Sequence, residues 1–269
     1  MGTSISHSGS GNAPSVPPEA DEQPDASSDD HTEDTDSSSV AETISNLNNR
    51  ALSNARSHYA RYASGQDGSL QQAVSEYVRA HRGASNATRA SKLGTRSTTK
   101  LGGFLSSVAR QGIYQTLRDF GLSHLVGRPV DEVVSEILNV IASATDSREE
   151  VINSFAAAKT LGELYGKFAL SEGIENLNRM TGADVQEAIR FSIANYIFQR
   201  FVKLVQVKRT EQTISPEQAV QAEMDARNYI RAKVRAVFGD RDVLRMDWNN
   251  AEASKMIEDI YFEAYSILE

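Results

Sequence analysis

The sequence predicts an all-α protein, a multi-helix bundle preceded by a long disordered acidic N-terminal tail. Three observations carry that expectation. From Ile44 onward apolar residues recur at three- and four-residue steps, the spacing that gathers them on one face of a helix. Two serines, Ser147 and Ser215, are each followed three residues on by Glu or Gln, a pattern that starts helices. Residues 1–49 hold ten acidic side chains, no Lys or Arg and no aromatic residue, and so have little apolar surface to bury.

Taken in order, residues 1–43 form the tail. Four of the six prolines (Pro14, Pro17, Pro18 and Pro24) precede the acidic run at 29–36. Ordering a backbone costs about 1–2 kcal/mol per residue, and nothing in this composition offsets it. Residues 44–112 are expected to hold a basic helical hairpin and then a Gly/Ala/Ser-rich helical segment. The first helix carries the stripe Ile44, Leu47, Ala51, Ala55, Tyr59 and Tyr62. A glycine break at 65–68 follows, and then Leu70, Ala73, Val74, Tyr77, Val78 and His81 repeat the pattern before Gly83 stops it. Between 84 and 112, Gly94, Gly102, Gly103 and Gly112 each cost a helix interior about 1 kcal/mol, so a loosely held helix or several short ones are expected.

Residues 113–269 are expected to form a helical bundle. One stripe is Val130, Val133, Val134, Ile137, Leu138 and Ile141, and a second is Val185, Ile189, Ile193, Tyr196, Ile197, Phe201 and Leu204. Ser147 with Glu150, and Ser215 with Pro216 at the first helical position and Gln218, read as capping boxes. The last helices carry Ala219, Ala222, Ala226, Tyr229, Ile230, Val234 and Val237, then Met256, Ile257, Ile260, Ala264 and Leu268. The only alternating stretch, 201–207, continues a helical stripe.

The net charge of −8 conceals a strong asymmetry. Residues 50–110 carry ten Lys or Arg against only Asp67 and Glu76, while residues 111–269 carry eighteen bases and twenty-four acids. The acidity belongs largely to the tail, and the region after it is basic.

Composition excludes several chemistries. With no cysteine there is no disulfide, no Cys-based zinc site and no thiol nucleophile. Residues 1–12 have neither the basic nor the apolar region of a secretory signal. The apolar run 191–207 is broken by Asn195, Gln199, Arg200 and Lys203, short of the roughly 20 apolar residues a membrane span needs. A soluble cytoplasmic protein is expected. His7, His31, His58, His81 and His124 stand at no metal-ligand spacing, and His81 reads as the polar tip of an apolar stripe. Gly102 and Gly103 lack the strand and the Lys-Ser/Thr of a phosphate loop, so helix flexibility is their plainer role. Carboxylates such as Glu149, Glu150, Asp240 and Asp242 sit at caps and turns. No catalytic constellation and no bound cofactor are expected.

Two features point to partners. Arg79, Arg82, Arg89, Lys92 and Arg96, continued by Lys100, make a candidate basic docking surface for an acidic partner; the alternative is a nucleic-acid-binding or scaffold protein that uses the basic helices of residues 50–110. The steps Glu223, Arg227, Arg231 and Arg235 read as an exposed helix face with one favourable pair. The second feature is the start, Met1-Gly2-Thr3-Ser4-Ile5-Ser6. A small second residue allows Met1 to be removed, which exposes the α-amine of Gly2. That amine has an ordinary pKa of about 7.7–8.0 against about 10.4 for Lys, so far more of it is unprotonated at neutral pH. The same letters match the N-myristoylation pattern.

The opening Met1-Gly2-Thr3-Ser4, with Val16-Pro17-Pro18 after it, resembles the start of QatB-like proteins of the Qat anti-phage defence systems. Ala73, Tyr77, Val78 and Arg79, followed by Gly83 and Arg89, are similar to the family's middle segment. The resemblance implies a non-enzymatic component that acts with a QueC-like enzyme (QatC-like), an ATPase and a TatD-like nuclease. It further implies that the QueC-like partner uses ATP and 7-carboxy-7-deazaguanine to place a deazaguanine on the N-terminal glycine. On this chain Gly2 is then the modification acceptor, with Thr3 and Ser4 as the residues recognised beside it. The family's usual Pro- and Trp-rich run after the opening is replaced here by the acidic segment 19–36.

Overall fold

In the computed structural model, residues 34–142, 147–205, 214–239 and 242–269 are described, with side chains from Ser45 onward. Ten α-helices occur among them, joined by short 3₁₀ turns, and no strand is present among the described residues. The all-α expectation holds; of the tail expected to be disordered, residues 1–43, residues 1–33 lie outside the described residues and residues 34–43 belong to the first helix. The chain divides into two units, residues 1–40 and residues 41–269, and the second contains the bundle.

Helix α1 (Asp34–Ala63) begins ten residues before the apolar spacing does at Ile44. Its stripe buries Ala55, Tyr59, Ala60 and Ala63. Tyr59 meets Phe201 edge to face at 5.5 Å, and the Tyr62 hydroxyl donates to Asp225 at 2.8 Å. Helix α2 (Leu70–Ala80) starts at Ser69, whose side chain accepts from the Gln72 amide. Both expected helices form; α1 reaches Phe201 and Asp225, and α2 packs against residues 251–268.

The glycine-rich stretch resolves into a short helix, α3 (Ala84–Arg89), and one continuous twenty-residue helix, α4 (Lys92–Gln111). Gly112, at φ +83°, turns the chain into α5 (Ile113–Asp119), whose first amide donates to Asn178 Oδ1 at 2.8 Å. The expected division at 112/113 falls on this turn, inside a single compact unit.

Helix α6 (Val130–Ala142) packs on α7 (Arg148–Lys167), which opens with the expected Ser147/Glu150 capping box. Next comes α8 (Gly182–Val205), the centre of the bundle, with α4, α7 and α9 (Pro216–Phe238) packed around it. Residues 192–202 of α8 are all buried, including Ser192, Asn195, Gln199 and Arg200. Helix α9 carries the second capping box, Ser215 with Gln218, and Pro216 at its start. Helix α10 (Ala251–Leu268) closes the bundle against α3, α4 and α9. After it the Glu269 carboxylate accepts from the Ala84 amide at 3.3 Å and caps α3.

Candidate functional site

The segment from α2 to α4 has two faces with opposite chemistry. Its outward face holds Arg79, Arg82, Arg89, Lys92, Arg96 and Lys100, all exposed. Lys92, Arg96 and Lys100 stand four residues apart on α4, and so form one line along the helix. Arg79 pairs with Glu76 at 2.9 Å, and Lys100 donates to the Val140 carbonyl at 3.0 Å. Arg82, Arg89, Lys92 and Arg96 have no carboxylate partner among the described residues. Among the described residues, four of the five basic side chains Arg79, Arg82, Arg89, Lys92 and Arg96 therefore stand exposed without a paired carboxylate.

The inward face is built around Arg200, which sequence spacing alone left unassigned. Its guanidinium is buried where α3, α7, α8 and α10 meet. Nη1 donates to Ser91 Oγ at 2.9 Å and to the Ala87 carbonyl at 3.3 Å, and Nε pairs with Glu149 at 3.2 Å. Ser91 Oγ and the Tyr265 hydroxyl share a further hydrogen bond of 2.9 Å, and the Tyr196 hydroxyl donates to Glu149. A charge taken out of water needs such partners, since desolvation costs several kcal/mol per ion. Glu149, expected only as a helix-start residue, thus also serves as the counter-ion of Arg200. The readable signal is the single arginine within 192–202, a stretch of α8 that is buried throughout, since a charge there requires a carboxylate from elsewhere.

Burial shapes the titration of the surrounding groups. It holds the Tyr77, Tyr196 and Tyr261 hydroxyls well above their ordinary range. It also pushes His81 down to about 4, with the Arg200 charge adding to the effect. The His81 ring stands edge-on to Tyr77 at 5.0 Å, and its Nε2 has no hydrogen-bond partner among the described residues.

Further along α4, Ser97 donates to Asn153 at 2.7 Å and Thr98 bonds Ser192 at 2.8 Å. The glycines do close-packing work that their flexibility does not explain. A Cβ on Gly94 would lie 2.6 Å from the Tyr196 ring and from the Tyr261 hydroxyl, and one on Gly102 would overlap the Trp248 ring. A second expectation also needs correcting: Arg227 and Arg231 are not a solvated face. They are half-buried, lying over the rings of Phe198 and Phe191, because long side chains next to the core positions Ala226 and Ile230 can cover apolar surface.

A family model described as "Qat anti-phage system associated protein QatB" matches residues 83–268. The chain belongs to the QatB family. Within this QatB-family chain the matched span covers α3 to α10. It therefore includes Arg89, Lys92, Arg96, Arg200 and Glu149, and begins after Arg79 and Arg82. Comparison with curated proteins and with solved structures gave no match. Gly2, Thr3 and Ser4, like His7 and His31, lie outside the described residues. Among the described residues no cluster of His, Asp and Glu is arranged to hold a metal, and no helix is long and apolar enough to cross a membrane.

Proposed function

We propose that this chain is a non-enzymatic component of an anti-phage defence complex, acting as protein substrate and assembly partner of a QueC-like enzyme. Membership of the QatB family, joined to a Met1-Gly2 start, is the observation that carries this reading. After Met1 is removed, the partner activates 7-carboxy-7-deazaguanine with ATP, forming an acyl-adenylate and releasing pyrophosphate. The Gly2 amine attacks the activated carbonyl, an amide bond forms, AMP leaves and the amine gives up a proton. Two properties suit Gly2 to the role: a pKa about 2.5 units below that of Lys, and no β-carbon to obstruct a narrow pocket. Thr3 and Ser4 are the residues read beside it.

The chain itself binds no cofactor in this scheme and works in the cytoplasm. Its helical body docks the enzyme, with Arg79, Arg82, Arg89, Lys92 and Arg96 facing an acidic surface. The ATPase and TatD-like nuclease of the same system are further partners. Intact mass and a tryptic map of protein co-expressed with its neighbouring genes test this reading. The expected result is a deazaguanine adduct on the Gly2 peptide, absent in G2E; an unmodified or fatty-acylated peptide overturns it. The uncompensated charges on α3 and α4 favour a second reading, a nucleic-acid partner, which predicts DNA binding that weakens steeply with salt.

A further inference from the structure

Helices α8 and α9 run antiparallel and meet through three arginine–phenylalanine stacks. The guanidinium of Arg227 lies 4.8 Å from the ring centre of Phe198, that of Arg231 4.7 Å from Phe191, and that of Arg190 4.8 Å from Phe238. Where both helices carry alanine, at Ala194 and Ala232, a groove of about 400 Å³ opens, lined also by Glu187, Arg190, Phe191, Arg231 and Arg235.

The charges around it are not balanced. Glu187 is taken by Lys167, and Glu163 by Arg231. Arg190 donates to the Gly239 carbonyl at 3.1 Å and to the Gln186 side chain, but has no carboxylate partner among the described residues. Arg235 is exposed and likewise has none. Two guanidinium groups thus border one cavity that is also lined by the apolar Phe191, Ala194 and Ala232: Arg235 can offer its planar fork to a phosphate bidentately, while Arg190, with Nη2 engaged and Nε buried, adds its positive charge beside it. The cavity falls within the roughly 300–1,000 Å³ typical of small-molecule sites, well beyond the size of a bare phosphate.

We propose that this groove binds a phosphate ester of nucleotide size, with its phosphate held by Arg190 and Arg235 and its organic part against Phe191, Ala194 and Ala232. The site is independent of Gly2 and of any partner enzyme. The test is a calorimetric titration of the full chain, expressed alone, with the common ribonucleoside 5′-monophosphates and with the parent nucleosides. The expected result is saturable one-to-one binding of at least one nucleotide, with its nucleoside at least about tenfold weaker, the loss of one good charge-assisted contact. R235A, at an exposed position, should weaken the nucleotide by a similar factor without shifting the melting temperature, while R96A on α4 leaves it unchanged. The proposal is overturned if no nucleotide saturates, if nucleosides bind equally well, if R235A has no effect, or if R96A weakens binding as much, which would mark diffuse attraction to the basic face.

Discussion

The two faces of α4 carry similarly polar side chains and put them to opposite use. Outward, Lys92, Arg96 and Lys100 keep their charge in water. Inward, Ser97, Thr98 and Ser106 are buried, bonded to Asn153, Ser192 and the Val243 carbonyl respectively, and Arg200 reaches Ser91 just before the helix begins. The comparison teaches that residue type does not decide whether a polar group is structural. What decides is whether a distant segment, here α7, α8 or α10, supplies the complementary atom.

The strongest way to break the inward face is to remove its charge. R200M leaves the Glu149 carboxylate without its counter-ion and removes the guanidinium N–H that Ser91 Oγ and the Ala87 carbonyl accept, while the Ser91–Tyr265 hydrogen bond remains. Because Arg200 is buried but Glu149 is about a third exposed, water can partly solvate the carboxylate left behind, and a loss of about 2–3 kcal/mol is expected, measurable as a lower urea midpoint with an unchanged slope. The double variant R200M/E149Q should recover part of that loss, because no unpaired charge remains.

Acid offers a milder probe of the same region. His81 is held at about 4 when folded, below its ordinary 6.5, so the unfolded chain binds the extra proton first. The stabilisation from keeping His81 neutral is complete above pH 6.5. It is lost as pH falls towards 4, by at most about 3 kcal/mol. Urea melts between pH 7 and 4 should show this decline, and H81F should flatten it.

Gly102→Ala tests the packing. Although Ala favours a helix by about 1 kcal/mol, the new methyl collides with Trp248, and a net destabilisation of about 1–3 kcal/mol is expected. Gly162→Ala on α7, where nothing lies within 4 Å of the new methyl, should instead stabilise by up to about 1 kcal/mol. The smallest effect belongs to the outward face. R96E should change stability by less than about 0.5 kcal/mol, while weakening capture of the partner enzyme in a pull-down. A large stability loss there would erase the distinction between the two faces.

Much of the fold could be read from local pattern, because capping boxes and apolar stripes act within a few residues. The boxes at Ser147 and Ser215, and the stripes of α6, α8, α9 and α10, all lie where spacing put them. Residues 84–112 were less legible, since glycine signals weakness in an isolated helix and close approach in a packed one. Gly94 and Gly102 depend on Tyr196, Tyr261 and Trp248, which stand far along the chain. The charge of Arg79, Arg82, Arg89, Lys92 and Arg96 was readable, and all five side chains are exposed. The roles of Arg200, Arg227 and Arg231 were not, because only tertiary partners separate a stacked or buried arginine from a solvated one.

Trp248 gives this architecture a built-in optical reporter. It is the sole tryptophan of the chain; its indole N–H donates to the Val243 carbonyl at 3.0 Å, and its ring rests on Gly102 and Gly103. The other end of the same inward face is ringed by Tyr196, Tyr261 and Tyr265, with no indole among them. Tryptophan emission therefore follows the contact between α4 and the segment before α10, while the near-ultraviolet tyrosine signal is weighted towards the arginine end. One sample can then show whether the two ends of α4 loosen together or in sequence.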